Sequence, residues 1–197
     1  MTTLASHGMP FAHPGKNAEM FPVEAGAIVV DFGAGSGAYT FEIAKTLNGT
    51  GKVYAIDVQQ ELLRRIGNEA HRLGVTNIET IWGDIARPHG SKIGNASVDV
   101  VLMSNILFQL EHPKEAFDEA RRILKLPGKL IIIDWIDALS TRGVRIGPTK
   151  SHVFSKDRAL EFAEAAGFHV VDEFSAGAHH YGLTLQKAAA LPHRRSR

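Results

Sequence analysis

Three glycines, Gly33, Gly35 and Gly37, alternate with single residues in VVDFGAGSGAYT, and Asp31 stands just ahead of them. Glycine costs backbone entropy, so a turn of this composition between an apolar strand and a helix is kept where backbone must approach something closely. The helix after it opens with unpaired N–H groups carrying partial positive charge. Asp57 closes the run VYAIDV twenty residues beyond Gly37, where an acid can accept hydrogen bonds from two ribose hydroxyls. Glycines and Asp57 together point to a nucleoside-containing cofactor. The alternative is a tight strand–helix turn beside a surface aspartate. A second group of candidates is histidine-rich: His179, His180 and Tyr181 in SAGAHHY, and His152 in GPTKSHVFSKD. Imidazole titrates closest to neutrality and suits a base or a hydrogen-bond donor. Tandem turn histidines can equally be solvent-facing, and His152 can equally be a loop residue beside a helix start. Asp134 and Asp137 could bind a substrate amine or a metal, or simply solvate a turn. The ten histidines show no H-x-x-x-H or H-E-x-x-H spacing, so no metal site is expected.

The elements that position these residues alternate from about residue 27. AIVVDFG, KVYAIDV, IETIWGD, VDVVLMSN and KLIIIDW read as strands. SGAYTFEIAKTLN, QQELLRRIGNEAHRLG, PKEAFDEARRILK and SKDRALEFAEAAG read as helices, the last with Ser155 as N-cap and Gly167 as stop. The final runs, FHVVDEF and YGLTLQK, are separated only by SAGAHH, too short for a helical crossover, so they should pair antiparallel. The expected fold is α/β, a doubly wound, Rossmann-like, mostly parallel sheet with a reversed last strand in a C-terminal hairpin. Strand six then ends, and the last strand begins, at the carboxyl edge where such sheets bind ligands, which brings His179, His180 and Tyr181 there. Residues 1–24 form a separate segment, 25–188 the domain, and 189–197 a basic tail. Phe11, Met20 and Phe21 suggest that the first segment folds over the ligand as a lid.

Composition limits the classes. The 197 residues fit one domain, the net charge is +1, and there is no cysteine for disulfides, thiolate metal sites or thiol nucleophiles. No apolar run approaches the roughly 20 residues of a membrane span, and the N-terminus lacks an apolar signal core, so a cytoplasmic location is expected.

The spacing G-x-G-x-G preceded by Asp31, rather than the G-x-G-x-x-G of dinucleotide folds, resembles motif I of the class I S-adenosylmethionine-dependent methyltransferases. The likeness covers most of the chain. VYAIDV resembles the family's second motif, IWGDIA its third, VDVVLMSNILFQL its fourth strand and turn, and the hairpin its reversed seventh strand. RRILKLPGKLIIIDW resembles its LKPGG-type turn into strand five, but an extra leucine precedes the proline and a lysine replaces the second glycine. The resemblance implies S-adenosylmethionine as cofactor, held by Asp31, Gly33, Ala34, Gly35, Gly37, Asp57, Val58, Gly83, Asp84, Ile85 and Ser104. Asp31 would meet the ammonium, Asp57 the ribose, Asp84 the adenine amine and the Ile85 N–H a ring nitrogen. A cationic nucleoside without phosphates suits three acids; a dinucleotide's pyrophosphate would be repelled by them.

Methyl transfer from a sulfonium is an in-line displacement, in which a base is needed only for a hydroxyl or protonated amine. His180, His179, Tyr181 and His152 are the catalytic candidates. The stretches 104–110 and 134–152, with Ile106, Leu107, Phe108, Trp135, Ile136, Leu139 and Ile146, should line the acceptor site, although some of these apolar residues can be core. They favour a small, partly hydrophobic acceptor and resemble the ubiquinone and menaquinone biosynthesis methyltransferases. An RNA methyltransferase using the RRSR tail lacks a basic-aromatic face in the body of the chain. A non-catalytic binding module would keep the cofactor site without an acceptor pocket. An oxidoreductase would need G-x-G-x-x-G or a Tyr-x-x-x-Lys pair, and neither occurs. The oligomeric state is not readable from the sequence.

Overall fold

The structure, a computed structural model, describes residues 12–136, 147–148 and 153–189. Seven strands form one sheet: β1 (Ile28–Phe32), β2 (Lys52–Asp57), β3 (Ile78–Trp82), β4 (Val98–Ser104), β5 (Leu124–Trp135), β6 (Phe168–Gly177) and β7 (His180–Lys187). Their order is β3-β2-β1-β4-β5-β7-β6. All neighbours are parallel except that β7 runs against both β5 and β6, as the short final connection requires.

Central strands are covered on both faces and therefore read as continuous apolar runs. Val29, Leu102, Ile131 and Ile133 point to one face, where they pack with α1 (Pro14–Glu19) and α2 (Ala38–Leu47) through Ala18, Tyr39, Ile43 and Leu47. Beside α2 lies α3 (Gln60–Leu73), whose Ile66 packs against the Gly37 turn. Val30, Phe32, Met103, Leu130 and Ile132 point to the other face, covered by α4 (Pro113–Ile123) and α5 (Lys156–Ala165) through Phe117, Ile123 and Ala159. Ser155 caps α5 by accepting from the Arg158 N–H, as its position predicts.

Three features differ from the sequence reading. The LKLPGK stretch is no turn before a short strand: β5 starts at Leu124 directly after α4. Its register jumps from Val98↔Leu124 to Val100↔Lys129, so the extra residues bulge out of the ladder with a cis peptide at Leu126–Pro127. β6 continues to Gly177, leaving only residues 178–179 as the hairpin turn, and His180 belongs to β7. Residues 14–19 form a helix where no pattern was read, capped by the His13 imidazole, which accepts from the Lys16 N–H at 3.3 Å. None of its residues lines the ligand cavity described below; it packs on α2 instead. Phe11, Asp137, Leu139, Ile146, His152 and the tail from 190 lie outside the described residues.

Candidate functional site

The β1–α2 turn is built from glycines for separate physical reasons. Gly33 has φ 70° and lies so close to the turn after β4 that a Cβ there would stand 2.7 Å from the Ile106 side chain. Gly37 has φ 80°, caps α2, and would meet Ile66 at 2.9 Å. Left-handed backbone and missing space both exclude a side chain at these two positions. The turn is pinned to β2: Gly33 and Ala34 N–H both donate to the Ile56 carbonyl, and Gly35 N–H donates to Asp57 Oδ2 at 2.9 Å.

Asp57 is 8% exposed, and its other oxygen accepts from the Gln59 N–H at 2.9 Å. A carboxylate has about four acceptor sites. Two therefore remain for hydroxyls of a ligand, while the other two fix the carboxylate in place. Asp84, after β3, is arranged similarly, accepting from the Ala86 N–H at 3.1 Å and from Arg87 Nε at 2.9 Å.

Both acids line one open cavity of about 630 Å³ at the carboxyl edge of the sheet. Its wall includes Gly33, Gly35, Val58, Gly83, Ile85 and Ile106. The size lies within the roughly 300–1,000 Å³ usual for small-ligand sites. Eight of the eleven residues expected to hold the cofactor are thus brought together: Gly33, Gly35, Asp57, Val58, Gly83, Asp84 and Ile85 on the cavity wall, with Ala34 in the turn between them. Gln109 and Leu110, from the 104–110 stretch expected at the acceptor site, also lie on this wall, with Glu111 and His112, which the sequence reading does not include.

Asp31 and Ser104 stand beside this cavity rather than on its wall, and Gly37 closes the turn behind it. Asp31 is 2% exposed and accepts from Thr40 Oγ1 at 2.6 Å. Burial pushes its pKa up to about 6 against the Thr40 hydrogen bond, with Asp57 adding to the rise. Tyr39, next to Thr40, has a hydroxyl that accepts from Asn17 Nδ2 at 2.8 Å. Asn17, itself buried, also donates to the Ala176 carbonyl at 3.0 Å. Asn17 therefore ties α1 to the start of α2 and to the end of β6.

The histidine group is divided by strand alternation. Tyr181 faces α4 and α5, where its hydroxyl donates to the Phe154 carbonyl at 2.9 Å and burial raises its pKa. This corrects the catalytic expectation for Tyr181: the hydroxyl is spent in the core. Leu107 is likewise core, at 1% exposure. His180 is buried against Trp135, with ring centroids 4.2 Å apart. Burial, then His179, pushes its pKa down to about 4, which makes it a neutral hydrogen-bonding group at pH 7 and a weak base. Asp134 is fully buried and accepts from the Leu107 and Trp135 N–H groups; desolvation raises its pKa to about 7. It is structural, fixing the turn after β4 to β5. Among the described residues no group of three or more His, Asp or Glu could hold a metal ion, and no helix is long and apolar enough to cross a membrane.

Sequence reasoning also missed the support of the β3–β4 connection. Glu119 on α4 accepts from the His89 and Ser91 N–H groups, Ser91 Oγ and Arg122, and Arg122 reaches the Ile93 carbonyl and Asn95. Burial raises the Glu119 pKa, but Arg122 and Ser91 outweigh it and hold the carboxylate below its usual range. The only signal in the sequence was a Glu–Arg pair three apart on a helix.

Comparison with known proteins fits this geometry. A family model described as a methyltransferase domain matches residues 24–167. The crystal structure of an S-adenosylmethionine-dependent methyltransferase from Aquifex aeolicus is similar at 27% identity and a TM-score of 0.79, covering 89% of both chains. An arsenite methyltransferase of Halobacterium salinarum is 25% identical over 130 residues, 66% of this chain and 32% of that protein. Another, from Aquipseudomonas alcaligenes, is 30% identical over 114 residues, 55% of this chain and 33% of that protein. The chain thus spans about a third of the length of these curated relatives.

Proposed function

The chain belongs to the methyltransferase domain family, from which we propose that it uses S-adenosylmethionine to methylate a small-molecule acceptor and that the cavity behind the glycine turn holds the cofactor. The observation that carries the cofactor assignment is the pairing of Asp57 and Asp84 in one cavity whose third acid, Asp31, lies buried beside it. Bound there, S-adenosylmethionine supplies an electrophilic methyl carbon on a sulfonium. Everything else falls to the residues of the chain.

Asp57 accepts the ribose hydroxyls with the lone pairs that Gly35 and Gln59 leave over. Asp84 and the Ile85 N–H read the adenine edge, against Val58 and Gly83. Asp31 and Ser104 face the methionine end, where Asp31's charge, unfavourable in an empty buried site, is balanced by a cationic ligand. The rigid turn, fastened to Ile56 and Asp57, fixes the methyl carbon relative to the end of β4. Orientation of this kind supplies roughly 7–11 kcal/mol of a barrier through effective molarity. An acceptor held beyond the end of β4 would present its lone pair to the methyl group that the bound cofactor would supply, and any acceptor proton would pass to solvent.

The acceptor is organic on this reading. The curated relatives include arsenite methyltransferases, but this chain has no cysteine to hold a soft, thiophilic centre. The test is incubation with methyl-labelled S-adenosylmethionine and two acceptor sets, hydroxyl-bearing aromatics and arsenite, followed by mass analysis of the methylated products. Labelled product from an organic acceptor is the expected result. Methylated arsenic alone would overturn the assignment of acceptor.

A further inference from the structure

Buried polar side-chain atoms in folded proteins almost always have hydrogen-bond partners, and an exception asks for a cause. Among the described residues the buried side-chain atoms without a partner are Asn105 Oδ1, His179 Nδ1, and both Nδ1 and Nε2 of His180. All lie at one edge of the sheet, where β4 and β5 end and β7 begins. Asn105 directly follows β4 and holds a left-handed φ of 54°, with its N–H donating to the Ile133 carbonyl. His180 pairs with Trp135, the last residue of β5.

Strand alternation sets the direction of these side chains. Asp31 continues the face of Val29, Ser104 that of Val100 and Leu102, and Trp135 that of Ile131 and Ile133. His180, packed in a tilted arrangement against Trp135, shares that face, while Tyr181 takes the other. Along the edge the order is Asp57 on β2, Asp31 on β1, Ser104 on β4, Trp135 on β5 and His180 on β7. The first three belong to the proposed cofactor site. The last two come next in line beyond the methyl end, about 5 Å and about 10 Å from β4 at about 4.8 Å per strand.

Resting on the methyl-transfer reading above, we propose that His180, clamped by Trp135, is the acceptor-recognition group, and that it hydrogen-bonds a hydroxyl of an organic acceptor of several heavy atoms. The reason for a hydroxyl is the pair of orphaned nitrogens. In a neutral imidazole one nitrogen donates and the other accepts. A carboxylate satisfies only the donor and an ammonium only the acceptor, whereas a hydroxyl meets either. Burial and His179 keep the ring neutral, so the donor and acceptor coexist at pH 7. The 3% exposure of His180 excludes bulk water as its partner. His180 stands two strands beyond β4, a separation that favours an acceptor of several heavy atoms over one as small as arsenite.

The test uses the full chain with ¹⁵N-labelled histidine, saturated with S-adenosylhomocysteine, and phenol as the probe. Toluene, the same shape without the hydroxyl, is the control, and exposed His71 and His169 are internal references. Phenol is expected to shift the ring nitrogens of His180 while toluene leaves them in place. His180→Phe, which keeps a ring on Trp135 and the core filled, is expected to weaken phenol binding at least tenfold and leave S-adenosylhomocysteine affinity within twofold. Equal shifts with toluene, or none with phenol, would overturn the proposal. Failure of S-adenosylhomocysteine to bind would instead overturn the cofactor assignment, and the phenol titration of the unliganded chain would still report on His180.

Discussion

Replacing Asp31 with asparagine separates the cost of a buried charge from its use. The Asp31 carboxyl is shielded from solvent and its pKa rises from 3.8 to about 6, first because of burial and further because Asp57 is near. Two units at about 1.36 kcal/mol each amount to roughly 3 kcal/mol against the charged form in the unliganded protein. The folded state holds this proton more tightly than the unfolded state. Stability therefore falls as pH rises from about 4 to 6, and the full cost persists above 6. Asp31→Asn keeps an oxygen for Thr40 Oγ1 and removes the charge. The unliganded variant should gain up to about 3 kcal/mol at pH 7.5 and nothing at pH 4. In urea, with a slope of about 1–3 kcal/mol per molar, that is a rise in midpoint of about 1 M or more. The same variant should bind S-adenosylmethionine at least tenfold more weakly, because the ligand's cation loses its counter-charge. Wild-type affinity should likewise fall below about pH 6, where Asp31 is protonated. A variant no more stable than wild type at pH 7.5, or one that binds the cofactor unchanged, would refute the reasoning.

Two further substitutions probe the supports of the cavity. Gly33→Ala forces φ 70° on a residue with a Cβ and sets that Cβ 2.7 Å from Ile106. Left-handed backbone costs about 1–2 kcal/mol and overpacking about 1–3. The melting temperature should fall by about 5–15 °C at about 2–4 °C per kcal/mol. Adding Ile106→Ala should recover only the contact part, and full recovery would show that backbone strain is absent. Glu119→Gln leaves Arg122 without its buried partner, which costs about 3–5 kcal/mol. Cofactor affinity should fall with it, because Glu119 holds the segment after Asp84 and Ile85. Intact stability in a denaturant titration would contradict this.

Much of the fold was legible because its signals are local. Strands such as KLIIIDW are apolar on both faces, helices such as α3 carry one apolar stripe, and the few residues between the last two apolar runs rule out a parallel connection. The glycine turn was legible for the same reason: close approach and left-handed backbone both select glycine, and they do so within five residues. The site's other half depends on contacts across the chain. Nothing near His180 in sequence says that it packs against Trp135, forty-five positions earlier, or that it starts a strand instead of capping a turn. Asp134 resembles any strand-end acid until Leu107 is folded onto it. The helix at 14–19 is too short for an apolar period to be seen, and its anchor, Asn17, is a polar residue buried by partners at Tyr39 and Ala176. The LKLPGK insertion was noticed, but only the ladder shows that β5 absorbs it as a bulge.

The most direct measurement is calorimetric titration of the whole chain with S-adenosylmethionine, S-adenosylhomocysteine and NAD, repeated on Asp57→Ala. That variant removes the carboxylate that both holds Gly35 and faces the cavity. The account predicts one binding site per chain for each sulfur nucleoside, no heat with NAD, and at least a tenfold loss of affinity in Asp57→Ala. Binding of NAD, or equal affinity in the variant, would contradict it.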